Sequence, residues 1–356
     1  MSEIRSPQAP DAIIAELVAA EFGVGVCRIE PLRGAIGLRR FSRVWLEASE
    51  TKVKSTPESV VARIDAAEDP AGRPADIPPE PPLEPIRALL EAEGLPVPRR
   101  YAADPAHGVE LLEDLGEASL ADFAGAAGAS ELDELYTEAC ALVPRLQRIE
   151  PRGEVANFRR RLDAAQFRYK AERFAHWSLG GADGASPAQT QVVRDAFERI
   201  GRFVGDAPHR LAHRDLQSAN LHVVDRARSA ARLVMIDLQG AFMAPPEYDL
   251  VCLLRDSYVE LGDAAVDAHL ARVRAELPDC PDAESFRLRF DLLTLTRKGK
   301  DHALFRAVAA ERGDERYLRY LPATRRYLQQ ASERVSSKLN EYSDLNDLIQ
   351  AIPEHS

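Results

Sequence analysis

No apolar run in the 356-residue chain approaches the ~20 residues that a membrane-spanning helix needs, and the opening MSEIRSPQAP lacks the apolar stretch of a signal peptide. A cytoplasmic protein with no membrane partner is expected. Cysteine is scarce as well. Cys27, Cys140, Cys252 and Cys280 stand too far apart for a CxxC zinc clip, and a chain this long does not need disulfide staples, so reduced thiols are expected. Positive charge is in deficit: 46 lysines and arginines against 57 acidic residues leave a net charge of -11. That argues against a nucleic-acid partner, because binding a phosphate backbone is driven by clustered cations that release counterions. Phosphate can still be held locally. No internal repeat is present.

At 45% hydrophobic residues, the chain can bury one large core or the cores of two lobes sharing a cleft. Ile13, Ile14, Leu17 and Val18 fall at helical spacing and stop at Gly23, which predicts an amphipathic first helix. From Ile29 to Ile64 the pattern changes to short β-rich runs, including Arg43 to Leu46 and Ser59 to Ile64, as in a small antiparallel sheet. Seven prolines crowd residues 70–85, which excludes a continuous helix or central strand and predicts a loop or lid. Leu83, Ile86, Leu89 and Leu90 then repeat on one helical face until Gly94.

Val109 to Glu113 reads as a further strand, broken by Asp114-Leu115-Gly116 before a more helical remainder. The lobe boundary is placed here, giving residues 1–113 and 114–356. Leu132, Leu135, Tyr136, Ala139, Leu142, Val143 and Leu146 form a helical stripe with a kink expected at Pro144. Helices are expected around 158–178 and 188–204. Leu221 to Val224 and Leu233 to Ile236 flank a polar turn as a hairpin, and helical periodicity returns after Pro246. Residues from about 336 read as a polar appendage with one short apolar face.

Chemistry concentrates in His213-Arg214-Asp215-Leu216-Gln217-Ser218-Ala219-Asn220, followed across the hairpin by Ile236-Asp237-Leu238-Gln239-Gly240. Phosphoryl transfer from ATP needs a carboxylate to orient the acceptor hydroxyl and take its proton, which suits Asp215. It also needs oxygen ligands for magnesium, an ion that prefers a few protein oxygens plus phosphate and water, which suits Asn220 and Asp237. Alone, His213 and Asp215 would read as a capping pair of the hairpin. The joint spacing of the two halves favours chemistry.

HRDLQSAN resembles the catalytic loop of aminoglycoside phosphotransferases, choline kinases and eukaryotic protein kinases, with Asp237 in their magnesium-binding position. The resemblance implies an α+β, bilobal protein-kinase-like fold, with a small antiparallel-sheet N-lobe and a larger, mainly helical C-lobe. HRDLQSANL, IDLQG and PPEYDLVCLLRDSYV are similar to the anomeric N-acetylmuramate and N-acetylglucosamine kinases of peptidoglycan recycling. Gln217 and Gln239 carry that likeness and are candidate substrate residues. By position, His213 would support the catalytic loop and Asp249 would brace it from behind. Backbone groups of Leu112, Glu113, Asp114 and Leu115 would meet adenine.

In the N-lobe, Gly34 and Gly37 stand where such kinases cover the phosphates, since glycine lets backbone amides approach phosphate oxygens. Arg63, in the run Val-Val-Ala-Arg-Ile, takes the place of the usual phosphate-anchoring lysine, with Glu84 as its candidate partner. Arginine is always charged and binds phosphate in a fork, although its geometry differs from lysine. A structural Arg63 packed on the sheet and a solvated Glu84 offsetting a helix dipole are the other readings. Arg297, Lys298 and Lys300 form a basic cluster that suits an anionic or acetamido sugar, although a charge run is usually a solvated face. Cys252 and His222 read as core.

The resulting expectation is an ATP- and magnesium-dependent small-molecule kinase acting on a small-molecule acceptor, an amino sugar, at its anomeric hydroxyl. Choline, homoserine, a sugar alcohol or an aminoglycoside are alternative acceptors, and a regulatory nucleotide-binding pseudokinase is the rival from a different class.

Overall fold

The computed structural model describes residues 10–32, 39–48, 56–65, 77–180, 184–224 and 232–354. Gly34 and Gly37 lie outside the described residues. The chain divides into two compact units, Met1–Arg73 with Val97–Gly116, and Pro74–Pro96 with Glu117–Ser356. Pro74–Pro96 thus groups with the second unit, whereas the sequence reading assigned it to residues 1–113. Its backbone explains why: Met235 N–H donates to the Pro96 carbonyl at 2.9 Å, and Arg152 pairs with Glu93. No helix among the described residues is long and apolar enough to cross a membrane.

In the first unit α1 (Pro10–Phe22) precedes β1 (Val26–Pro31), β2 (Arg40–Leu46), β3 (Ser59–Ile64), β4 (Arg100–Asp104) and β5 (Val109–Glu113). The strands form an antiparallel sheet in the order β1-β2-β3-β5-β4. Alternate residues Val44, Val60, Ala62, Val109 and Leu111 face one side, where Ile13, Ile14 and Val18 of α1 cover them. Gly23 ends α1 with φ +69°, the left-handed conformation that glycine adopts without steric cost. β4 escaped the sequence reading because RYAAD has no apolar alternation. It is held at the sheet edge by pairing with β5, and by Tyr101 packing edge-on against Phe22 at 5.1 Å.

The second unit opens with α2 (Ile86–Ala92), α3 (Leu120–Ala124), α4 (Ala129–Gln147), α5 (Ala164–Ser178) and α6 (Pro187–Gly205). Capping boxes at Ser119 and Ser186 start α3 and α6 by satisfying amides that the helix cannot. α4 continues through Pro144, which therefore does not end it. Two short ladders follow: β6 (Arg210–Ala212) pairs with β9 (Phe242–Ala244), and β7 (Leu221–Val223) pairs with β8 (Leu233–Met235).

Helices α7 (Glu247–Leu254), α8 (Asp263–Glu276), α9 (Ala283–Arg312), α10 (Leu321–Lys338) and α11 (Ser343–Gln350) complete the unit. Packing of α5, α7 and α10 onto α9 makes that helix its central strut. The short apolar face expected near the C-terminus is Leu345 and Ile349 of α11, spaced i and i+4, and it is buried as α11 packs on α10 and α6.

Candidate active site

Between β6 and β7 the backbone makes a tight excursion braced by one carboxylate. Asp249, buried near the start of α7, accepts the amide protons of His213 at 2.7 Å and Arg214 at 2.9 Å. These bonds hold Arg214 at φ +79°, a left-handed conformation unusual for a non-glycine residue. His213 bonds through Nε2 to the Ile236 carbonyl at 2.9 Å. A carbonyl only accepts, so Nε2 carries the proton, and the ring ties the loop to the segment leading into Asp237. His213 thus acts on the geometry as a brace.

Asp215 presents its carboxylate beyond this brace, with its side chain 21% exposed. Its Oδ1 accepts from Arg297 Nη1 at 2.7 Å, and Arg214 Nε lies 4.0 Å from Oδ2. Burial alone would raise this carboxyl, but the charges of Arg297, Lys300 and Arg214 outweigh it and hold the group well below the usual range. Asn220 closes the loop by donating from Nδ2 to the Asp215 carbonyl at 2.9 Å, which orients its amide oxygen the other way. The Asn220 carbonyl also accepts from Ile236 N–H at 3.0 Å, joining the two halves of the constellation.

Asp237 takes φ +63°, ψ +40° and accepts from Gln239 Nε2. Burial raises its carboxyl, and the negative charges of Asp215 and Glu80 push it further in the same direction. Clustered negative charge of this kind is what a divalent cation relieves. Among the described residues no three His, Cys, Asp or Glu side chains converge as a cage. The oxygen groups here that could hold a metal ion are the Asp237 carboxylate and the Asn220 amide oxygen. That hard, incomplete donor set fits magnesium.

The other sequence-picked residues fall in different surroundings. Gln217 accepts from Arg297 Nη2 at 3.3 Å, and Gln239 is buried against Asp237, so both help shape the loop. In the first unit the Arg63 guanidinium is held by Glu110 and, at 2.7 Å, by Asp65. Glu84 lies in the second unit, where it pairs with Arg87 and accepts from Ala88 N–H at 3.0 Å. Each of the two residues thus has ion-pair partners within its own unit. Leu112 and Glu113 end β5, and Leu115 sits in the turn that Asp114 braces by accepting from Arg43 at 2.7 Å, Ser59 at 2.7 Å and Gly116 N–H at 3.0 Å.

The sequence signature of the phosphotransferase enzyme family matches residues 47–289. The chain belongs to that family. This phosphotransferase is 28% identical over 283 residues to the N-acetylmuramate/N-acetylglucosamine kinase of Pseudomonas aeruginosa, covering 77% of this chain and 78% of the relative. It is 28% identical over 247 residues to the enzyme of the same name from Caulobacter vibrioides, covering 67% of each. Its fold is similar to the choline kinase of Streptococcus pneumoniae, with a TM-score of 0.58 at 16% identity over 92% of this chain and 99% of that one. The AMP complex of that kinase superposes with a TM-score of 0.59 at 16% identity over 93% and 99% of the two chains. The phosphotransferase is thus a small-molecule kinase with an α+β, protein-kinase-like architecture.

Several residues of the site escaped the sequence reading. Glu80, in the proline-rich stretch, receives Arg214 Nη1 at 2.6 Å. Asn157, fully buried, donates Nδ2 to the carbonyls of Gln239 at 3.1 Å and Ala241 at 3.0 Å and so supports the segment after Asp237. A charge run is usually a solvated face, yet Arg297 and Lys298 of the basic cluster are each only 2% exposed. Arg297 bridges Asp215 to Asp301, whose Oδ2 accepts from its Nε at 3.1 Å. Its signal was the acid at i+4 on the same helix, which marks a paired cation.

Proposed function

We propose that the protein transfers the γ-phosphate of ATP to the anomeric hydroxyl of N-acetylmuramate or N-acetylglucosamine. The observation that carries the chemistry is the Asp215 carboxylate, fixed by Arg297 in a loop whose other end holds Asn220 and, across the hairpin, Asp237. The names of the Pseudomonas and Caulobacter relatives support the choice of acceptor.

Asp215 accepts the acceptor hydroxyl and aims its oxygen at the γ-phosphorus. The new oxygen–phosphorus bond forms as the bond to the β-phosphate oxygen breaks, ADP leaves, and the hydroxyl proton passes to Asp215 and then to solvent. A carboxylate held this acidic is a weak base, so the proton moves late, in keeping with a loose transition state in which positioning dominates. Asp237 and Asn220 would hold magnesium, which when bound neutralises charge on the β- and γ-phosphates. His213 and Asp249 keep the loop in shape. The first unit's part is proposed separately: backbone groups of Leu112, Glu113 and Leu115 meet adenine. Arg63 is omitted from the phosphate contacts, because Glu110 and Asp65 already engage its guanidinium.

Asp215→Asn keeps the shape and removes the proton acceptor. Turnover in a coupled ADP-release assay with either sugar should fall ~10²–10⁴-fold. MgATP affinity and melting temperature should stay at parent values, since Asp215 does not ligate the nucleotide. Parent-level turnover in the variant would remove Asp215 from the mechanism, and a parent inactive on a broad acceptor panel would favour a nucleotide-binding regulatory protein.

A further inference from the structure

Lys170 on α5 is 3% exposed, and among the described residues its amine has one hydrogen-bond partner, the Tyr248 hydroxyl at 3.2 Å. It lies over the rings of Tyr248, 4.7 Å from the centroid, and Phe167, 5.5 Å away. No carboxylate of the described residues pairs with it. A buried ammonium without a counter-ion is costly, and the cations that reach it, Lys300, Arg297 and Arg214, repel it.

Those neighbours have little negative charge to share. Arg297 is committed to Asp215, Gln217 and Asp301. Lys298 takes the same Asp301 carboxylate at 2.7 Å, which leaves Lys300 with a distant 3.9 Å pairing to it. Lys300 is also partly open, with 26% of its side chain exposed. The helices that carry these cations pack closely: a Cβ at Gly299 would stand 3.2 Å from the Phe174 ring, so a side chain there would need the ring to give by a few tenths of an ångström. Lys170 lies one turn before Phe174 on α5, and Lys300 directly follows Gly299 on α9.

We propose that Lys170 and Lys300 form a subsite for a carboxylate on the acceptor, beside the hydroxyl that Asp215 orients. The proposal rests on the amino-sugar reading and deepens it. N-acetylmuramate carries a carboxylate on its lactyl ether and N-acetylglucosamine carries none, so the subsite selects the acidic sugar. An arriving carboxylate supplies the counter-ion that Lys170 lacks, and charge-assisted hydrogen bonds formed away from water are the strong ones.

The test is the ratio of kcat/KM for N-acetylmuramate over N-acetylglucosamine in the parent, Lys170→Met and Lys300→Met. Each variant should lower the ratio by ~10-fold or more, the scale of one lost hydrogen bond to a charged group. An unchanged ratio would overturn the subsite. An equal loss on both sugars would also overturn it and assign the cations to the transferring phosphoryl group. Lys300→Met, at a partly exposed position, keeps the test open if Lys170→Met does not fold. A parent that phosphorylates neither sugar would remove the amino-sugar reading instead. The subsite would then stand on D-lactate raising the melting temperature of the parent and of neither variant, and would fall if the parent gained no protection.

Discussion

At Asp237 the left-handed backbone and the proposed role of charged ligand coincide in one residue, and a single substitution separates them. Asparagine tolerates this conformation about as well as aspartate and keeps the side-chain shape, so Asp237→Asn removes charge alone. Magnesium-dependent ATP affinity should fall ~10–100-fold, comparable to the loss seen when support for a bound metal is removed. Calorimetry with and without magnesium reads it, and unchanged affinity in both would take Asp237 out of the site. At this scale the sequence was most informative about the catalytic loop, because Asp215, Asn220 and Asp237 are close in sequence across one hairpin. Arg297 was illegible as the partner of Asp215, because it comes from α9, remote in the chain.

Helices α5 and α9 meet at Gly299, and the fit there is a property of the pair. Phe174 is fully buried and stacked on Phe197 with centroids 6.0 Å apart, so it has nowhere to retreat from an added side chain. Gly299→Val should therefore destabilise the second unit by about 1–3 kcal/mol through overpacking, outweighing the usual gain from removing a helical glycine. A lowered urea midpoint measures this, whereas an unchanged midpoint would mean that Gly299 does not set the spacing. Elements with strong periodicity were readable in advance: α1 from its apolar face and Gly23, and the β7–β8 hairpin from two apolar runs around a polar turn. β4 and α11 were not, because an edge strand of mixed polarity and a short helix gain their order from the surfaces they cover.

For the molecule as a whole, Lys170 imposes a pH dependence on stability. Burial first, then the charges of Lys300 and Arg297, lower its amine from 10.5 to about 7 in the folded state. Tyr248, Cys252 and Arg214 also face it, and none of them supplies a carboxylate. Between these two values the unfolded chain binds the extra proton, so stability from this group rises with pH across that window and is lost as pH falls through about 7. Lys170→Met removes the effect. Its urea midpoint should exceed the parent's by more at about pH 6 than at about pH 9, and a difference independent of pH would refute a depressed amine.

The sequence by itself determined the reaction class, because the groups proposed to meet phosphate and the acceptor hydroxyl must sit at fixed short separations, and Asp215 to Asn220 and Asp237 keep such a spacing in the linear chain. It also determined the α+β character through hydrophobic period. Only the tertiary structure decided that Arg63 is held by Glu110 and Asp65, that Glu80 reaches Arg214, and that Arg297 clamps Asp215. It alone left Lys170 buried with no counter-ion among the described residues. The physical reason is that a long cation has many partners within reach. Which one it takes depends on burial and on the competing charges that distant helices bring beside it, and neither is written in local spacing.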